Sequence, residues 1–290
     1  DNYLFINADK SIHLRRHRNN RHRNQHTLSS VARDTATSLA PDSPVLAMFK
    51  EAALKLNDKQ DRHERLVKLS RDITIESKRI IFLLHSNITK ETQEKIIQEA
   101  KDRIQKLIEG PIKSIALELE HSPAYLHSRA VTAGLQEYIE ARTLCSLLEY
   151  REIIPYEEVK KEFTYSIESE DGTRTVATLL PHTDYMLGLA DLTGELMRKA
   201  INSISSGDSD DCFFACQMVK ELFAGYLGLF SVGKELARKL STTRANVSKV
   251  EYAVYALRVR GGEAPPTLSL SPPQDWEHSA HHDDDDEGFY

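Results

Sequence analysis

Between about residue 45 and residue 261, glycine and proline are scarce and apolar residues recur at intervals of three and four. That pattern restricts the chain to helices packed against helices. From Pro44 to about Asn87 the series Leu66, Leu69, Ile73, Ser77, Ile80 and Leu84 marks one face of a long helix. On another face Lys68, Asp72, Glu76 and Arg79 follow as alternating charges that support it. Further helical stretches are expected at about 91–119, with Gly110-Pro111 a break or kink, and at about 123–149. A short one should follow Ile154-Pro155 as far as Glu162, and others should cover 182–203, 209–227 and 233–261, the last interrupted near Ser241. Only the segment 163–180, which alternates and contains Asp171-Gly172, departs from this; it reads as a loop or small hairpin. The expected fold class is all-α.

At 290 residues and 40% hydrophobic content the chain can bury a core as one large domain or two ordinary ones. No apolar run approaches the roughly 18–20 residues that span a bilayer, so no membrane partner is expected. The first residues, DNYLFINADK, lack the apolar core and cleavage site of a secretory signal, and an intracellular setting is expected. Cys145, Cys212 and Cys216 are an odd, sparse set and make no disulfide framework; Cys212 and Cys216 lack the partners of a zinc site. The sequons at Asn87 and Asn246 read as chance matches.

The formal charge of −6 is unevenly placed. Seven acids and no Lys or Arg lie from Gln274 to Tyr290, so residues 1–273 carry +1. Six bases against two acids in residues 1–30 give a local +4 and leave residues 31–273 at −3. A folded region of that charge needs a local patch or a partner to bind nucleic acid. Residues 1–42 are expected to be a disordered arm with a basic cluster, Arg15 to Arg23, of the nuclear-import or nucleic-acid-binding type. Residues 43–261 would form the helical domain and 262–290 a disordered acidic tail, whose His281-His282 and Asp283 to Asp286 suit only adventitious metal binding.

Four carboxylates stand within the helical stretches: Glu137 and Glu140, three apart, and Asp191 and Glu195, four apart. On a helix each pair shares one face, with Cβ atoms roughly 5–6 Å apart. Glu137 falls in a stripe of Ala130, Gly134, Ala141, Leu144 and Leu148, whereas Asp191 and Glu195 run beside the stripe of Leu189, Leu192, Leu196 and Ala200 and should face a cleft. A carboxylate in an apolar stripe needs a proton, a cation or several hydrogen bonds. Hard oxygen donors from two helices suit Mg²⁺ or Mn²⁺, the chemistry of phosphodiester cleavage. The spacing alone fits equally a solvated, salt-bridged face. None of the four acids is followed three residues later by His, as the Glu-x-x-His signature of diiron bundles would require.

Four blocks decide between these. RLVKLSRDITIESKRIIFLLH (65–85), TAGLQEYIEA (132–141), DYMLGLADLTGELMRKAINS (184–203) and KVEYAVYALRVRG (249–261) resemble the translin family, in the branch whose members partner translin. The resemblance implies a translin-like bundle of about seven helices assembled with translin into a closed hetero-oligomer. It implies the catalytic subunit of a Mg²⁺-dependent endoribonuclease that cuts single-stranded RNA, including passenger-strand fragments during activation of the RNA-interference effector, and transfer RNA. Single-stranded DNA is a further candidate ligand, and nucleus and cytoplasm are the expected compartments. The resemblance assigns catalysis to Glu137, Glu140, Asp191 and Glu195, with Glu140 and Glu195 holding the metal and Glu137 and Asp191 positioning water or supporting the metal's ligands from behind. The alternative is a non-enzymatic scaffold that stabilises or redirects translin, with the acids a salt-bridged face. The match departs at the chain ends and in residues 86–131.

Overall fold

A computed structural model describes residues 43–86, 90–169, 172–206, 209–229 and 233–259. The basic arm, the acidic tail and the Asn87 sequon lie outside these. The chain divides into two compact units, one ending at Lys68 and the other beginning at Leu69.

In the first unit the described residues belong to helix α1, Pro44–Leu84, which continues into the second. Its surface charges pair one turn apart, Lys55 with Glu51 at 2.7 Å and Arg62 with Asp58 at 3.4 Å. Such exposed pairs contribute at most about 1 kcal/mol each.

In the second unit α1 buries Ile73, Ser77, Ile80 and Leu84, the face that the three-four spacing marks. Helix α2, Lys90–Leu107, is joined to α3, Lys113–Leu119, through a kinked turn, Ile108–Ile112. The kink has a local cause: Gly110 adopts φ −97° and ψ −105°, outside the helical region, and Pro111 has no N–H to donate. Hydroxyls take up three backbone carbonyls here. Ser114 donates to the Gly110 carbonyl at 2.9 Å, Tyr165 to Ile108 at 2.8 Å and Thr178 to Ile112 at 2.7 Å. A short 3₁₀ turn, Ala124–Leu126, leads into α4, Ser128–Tyr150. This helix ends on Arg151, whose φ of 60° is left-handed and whose N–H donates to the Leu147 carbonyl at 3.0 Å.

After Pro155 comes α5, Tyr156–Glu162, then strands β1, Thr164–Ser169, and β2, Gly172–Ala177. They pair antiparallel, with Thr164 opposite Ala177 and Ser169 opposite Gly172. The segment left open between loop and hairpin is therefore a hairpin, and the φ of +119° at Gly172 is one that side chains with a Cβ rarely adopt. Helices α6, His182–Ser206, α7, Ser209–Leu227, and α8, Lys234–Val259, complete the unit. The interruption expected near Ser241 does not occur: α8 has neither Gly nor Pro within it, and Thr243 turns its hydroxyl back to the Lys239 carbonyl at 3.0 Å. With α2 and α3 counted as one kinked helix, the described residues form seven helices and one hairpin. None of the described helices is long and apolar enough to cross a membrane.

The core lies where α4 and α6 pack on their neighbours, around Leu135, Tyr138, Ile139, Leu144 and Leu192, each fully buried. Tyr138 carries its hydroxyl into this core and donates to Glu162 at 2.9 Å, while Arg142 holds the same carboxylate at 2.8 Å. Burial, and then the Glu162 charge, drive the Tyr138 phenol well above its ordinary range, so the group is a neutral donor there.

Candidate active site

The approach of α6 to α4 is set by polar contacts and by the lack of a side chain at one position. At the start of α6, Asp184 accepts from Gln136 at 3.0 Å and from Thr132 at 3.2 Å. One turn on, Gly188 lies so close to α4 that an added Cβ would stand 2.6 Å from the Ile139 Cβ and 2.8 Å from the Gln136 carbonyl oxygen. These contacts advance together along both helices, and the next turns carry Asp191 and Glu195 opposite Glu137 and Glu140. All four carboxylates line one cavity of about 660 Å³. Helix α1 adds Lys78, Ile81 and Phe82 to its wall, and α8 adds Lys239, Thr242 and Asn246. Helix α8 is fixed to α6 beside the acids by a buried hydrogen bond from Asn246 Nδ2 to Thr193 Oγ1 at 3.0 Å. The Asn246 sequon is thus a core residue, in keeping with a chance match.

Three of the acids face cations. Lys78 Nζ lies 3.1 Å from Glu137, Lys239 Nζ donates to Asp191 in a short contact, and Arg198 lies 3.2 Å from Glu195 Oε2. The same Glu195 oxygen is 2.6 Å from His85 Nε2, with the two side chains only 14% and 9% exposed. The pair is close but poorly aligned: both atoms are buried without a hydrogen bond of good direction. Glu140 differs from the other three. Its carboxylate makes no ion pair among the described residues, and its pKa is pushed up to about 8, first by burial and then by the charges of Asp191, Glu195 and Glu137. The apolar stripe of α4 pointed to Glu137 as the enclosed member of its pair; the structure gives that place to Glu140. The Glu137 side chain is long enough to reach the cavity margin and Lys78 on α1.

A hard cation suits these residues chemically. The donors are carboxylate oxygens, one buried oxygen of Glu195 lacks an aligned partner, and burial and the three neighbouring acids push the Glu140 carboxyl up to about 8, which a cation among them would relieve. As they stand, the side chains are turned toward Lys78, Lys239 and Arg198, and among the described residues no three acidic, His or Cys groups form a ready ligand set.

The residue pattern pointed to the four acids. It gave no sign of Lys239 or His85. Lys239 belongs to α8, far along the chain from either pair, and His85 closes α1 in a stretch whose spacing marks only a core face. Neither carries a spacing signal that links it to the acids. Cys212 is buried, Cys216 half-buried, and both are free thiols.

Residues 61–261 match the profile described as the translin family. Translin-associated protein X of Mus musculus is 40% identical over 237 residues, covering 77% of this chain and 81% of that protein. Among solved structures, apo-NeC3PO aligns with a TM-score of 0.55 at 21% identity, covering 76% of this chain and 98% of that one. A complex of AfC3PO with duplex RNA aligns with a TM-score of 0.52 at 20% identity, covering 75% and 100%. At that identity the two structures show the shared fold. The span of the profile match and the identity to that relative over most of both chains place the chain in the translin family.

Proposed function

We propose that this chain is the catalytic subunit of a translin-containing, Mg²⁺-dependent endoribonuclease that cleaves single-stranded RNA. The observation that carries this reading is the convergence of Glu137, Glu140, Asp191 and Glu195, from two helices, on one cavity of about 660 Å³. Membership of the translin family, with a relative named for its association with translin, supports translin as the partner. A structural neighbour in complex with duplex RNA supports RNA as the ligand. The substrates proposed are passenger-strand fragments during activation of the RNA-interference effector and transfer RNA, in nucleus and cytoplasm, with single-stranded DNA as a further ligand.

In this mechanism Glu140 and Glu195 would hold Mg²⁺, or Mn²⁺ in its place. When bound, the cation supplies charge that polarises a phosphoryl oxygen and lowers the pKa of an attacking water. Glu140 must give up its proton to serve as a ligand, since its pKa without the cation is about 8. Glu137 and Asp191 orient the water and accept its proton. Lys78 and Lys239, which otherwise face those two acids, offset the phosphate charge as RNA enters.

The scaffold reading has one observation in its favour: Glu137, Asp191 and Glu195 already have protein cations beside them, as a salt-bridged face would. Cleavage of labelled single-stranded RNA by the complex co-purified with translin separates the two. With Mg²⁺ the wild-type complex should cut, whereas with chelator, or with Glu140→Ala or Glu195→Ala in an intact complex, cutting should be lost. Full activity of both variants would sink the nuclease reading and leave the scaffold.

A further inference from the structure

Phe82 is 75% exposed on α1, although Ile81 and Leu84 beside it are buried. It stands between two cavities. One is the acidic pocket, and the other, of about 380 Å³, is lined by Lys78, Arg79, Phe82, Leu83, Ser86 and Arg103. Lys78 and Phe82 belong to both linings, and their spacing of four residues puts them on one helix face. Among the described residues, the lining of the second cavity holds three cationic side chains and no acid. Outside its wall Glu76 accepts from Arg103 at 2.6 Å and lies 3.3 Å from Arg79, Glu99 lies 3.7 Å from Arg103 and Glu137 3.1 Å from Lys78, so each cation is oriented by a carboxylate, through ion pairs that a phosphate can replace at the exposed Lys78 and Arg79. Arg79 and Lys78 keep 65% and 64% of their side chains exposed and can reach a ligand.

We infer that Phe82, with Lys78, Arg79 and Arg103, is a landing shelf for single-stranded RNA beside the acidic pocket. An unpaired base stacks on Phe82, and the cations hold backbone phosphates next to the one presented to the acids. The role of the acids rests on the nuclease reading above; the shelf itself is a binding site and stands on its own geometry. The exposed ring and the two exposed cations beside it select the occupant: a flat aromatic face flanked by side chains that can take phosphates is what a polynucleotide strand recognises. A base within a duplex is already stacked on both faces and cannot lie on a single exposed ring, so the shelf selects unpaired strands. Phe82 is a substrate-positioning residue and takes no part in bond breaking.

The test uses the translin complex carrying Phe82→Ala, Phe82→Trp or Arg79→Gln. Binding of a fluorescein-labelled oligouridine is measured by anisotropy in chelator across a range of NaCl concentrations, and cleavage is measured separately in Mg²⁺. Phe82→Ala should weaken oligouridine binding about tenfold, and Phe82→Trp should keep wild-type affinity. Arg79→Gln should reduce the log–log salt slope by about one. In cleavage, Phe82→Ala should raise KM more than it changes kcat. Because binding is read without cleavage, absence of any nuclease activity would leave the shelf standing. Wild-type oligouridine affinity in Phe82→Ala would overturn it. So would loss of translin from the Phe82→Ala preparation, which would make the ring a subunit contact.

Discussion

Glu140 is the residue whose surroundings depart furthest from what its position in the sequence suggests. Expected from the resemblance to hold a metal together with Glu195, it is the one of the four acids without an ion pair among the described residues, enclosed enough that its pKa rises from 4.5 to about 8. In the unfolded chain the same group ionises near 4.5. Between those values the folded protein holds a proton that the unfolded chain has released, so stability falls as pH rises through this window and stays low above about 8. Removing the ionisable group should remove that loss. In chelator at pH 9, Glu140→Gln is expected to stabilise the protein by about 2–4 kcal/mol relative to its effect at pH 5. Thermal melts of wild type and variant at the two pH values measure this, and a pH-independent difference would show that Glu140 is not desolvated. Such an effect was not visible beforehand, because spacing states which residues share a helix face but not how far a neighbouring helix covers each.

At the scale of elements, the meeting of α4 and α6 makes the site, and Gly188 is the position that permits it. An alanine there would bring its Cβ to 2.6 Å from Ile139 and 2.8 Å from the backbone oxygen of Gln136, and a helix backbone cannot yield as a flexible side chain can. Gly188→Ala is expected to cost about 1–3 kcal/mol in thermal or denaturant unfolding and to depress cleavage by separating the acid pairs. Gly194 is the control: it lines the same cavity, but its nearest neighbour for an added Cβ is 3.9 Å away. Gly194→Ala should leave stability unchanged or raise it by up to about 1 kcal/mol, through the better helix propensity of alanine. Equal destabilisation by both changes would remove close packing as the reason for glycine at 188. Elements with strong local causes were legible in advance: the Gly110-Pro111 kink and the helix after Pro155. The segment 163–180 was ambiguous because pairing in a hairpin depends on what the strands rest against. Here Tyr165 and Thr178 tie it to the carbonyls of the kinked turn.

For the whole molecule, charge bears on the proposed partnership. With −3 on residues 31–273, the central part of the chain is not electrostatically disposed to hold RNA, and under the proposed function basic surface from translin would supply most of the attraction. Single-stranded RNA binding by the isolated chain should therefore be weak with a shallow salt dependence, and binding by the translin complex tighter with a steeper one. Equal slopes for the two, measured by anisotropy from low to high NaCl, would remove translin as the source of that charge.

The all-α class, the order and approximate limits of the helices and the identity of the four acids were all determined by the sequence alone. Each depends on local rules: period, breakers, and short motifs that survive without knowledge of neighbours. Only the tertiary structure decided that Glu140 is the enclosed acid, that Lys239 and His85 reach the site from α8 and the end of α1, and that Phe82 stands exposed between an acidic and a basic cavity. Those facts depend on which faces of separate helices meet and how closely. That is set by packing across the fold, and no local pattern in the chain encodes it.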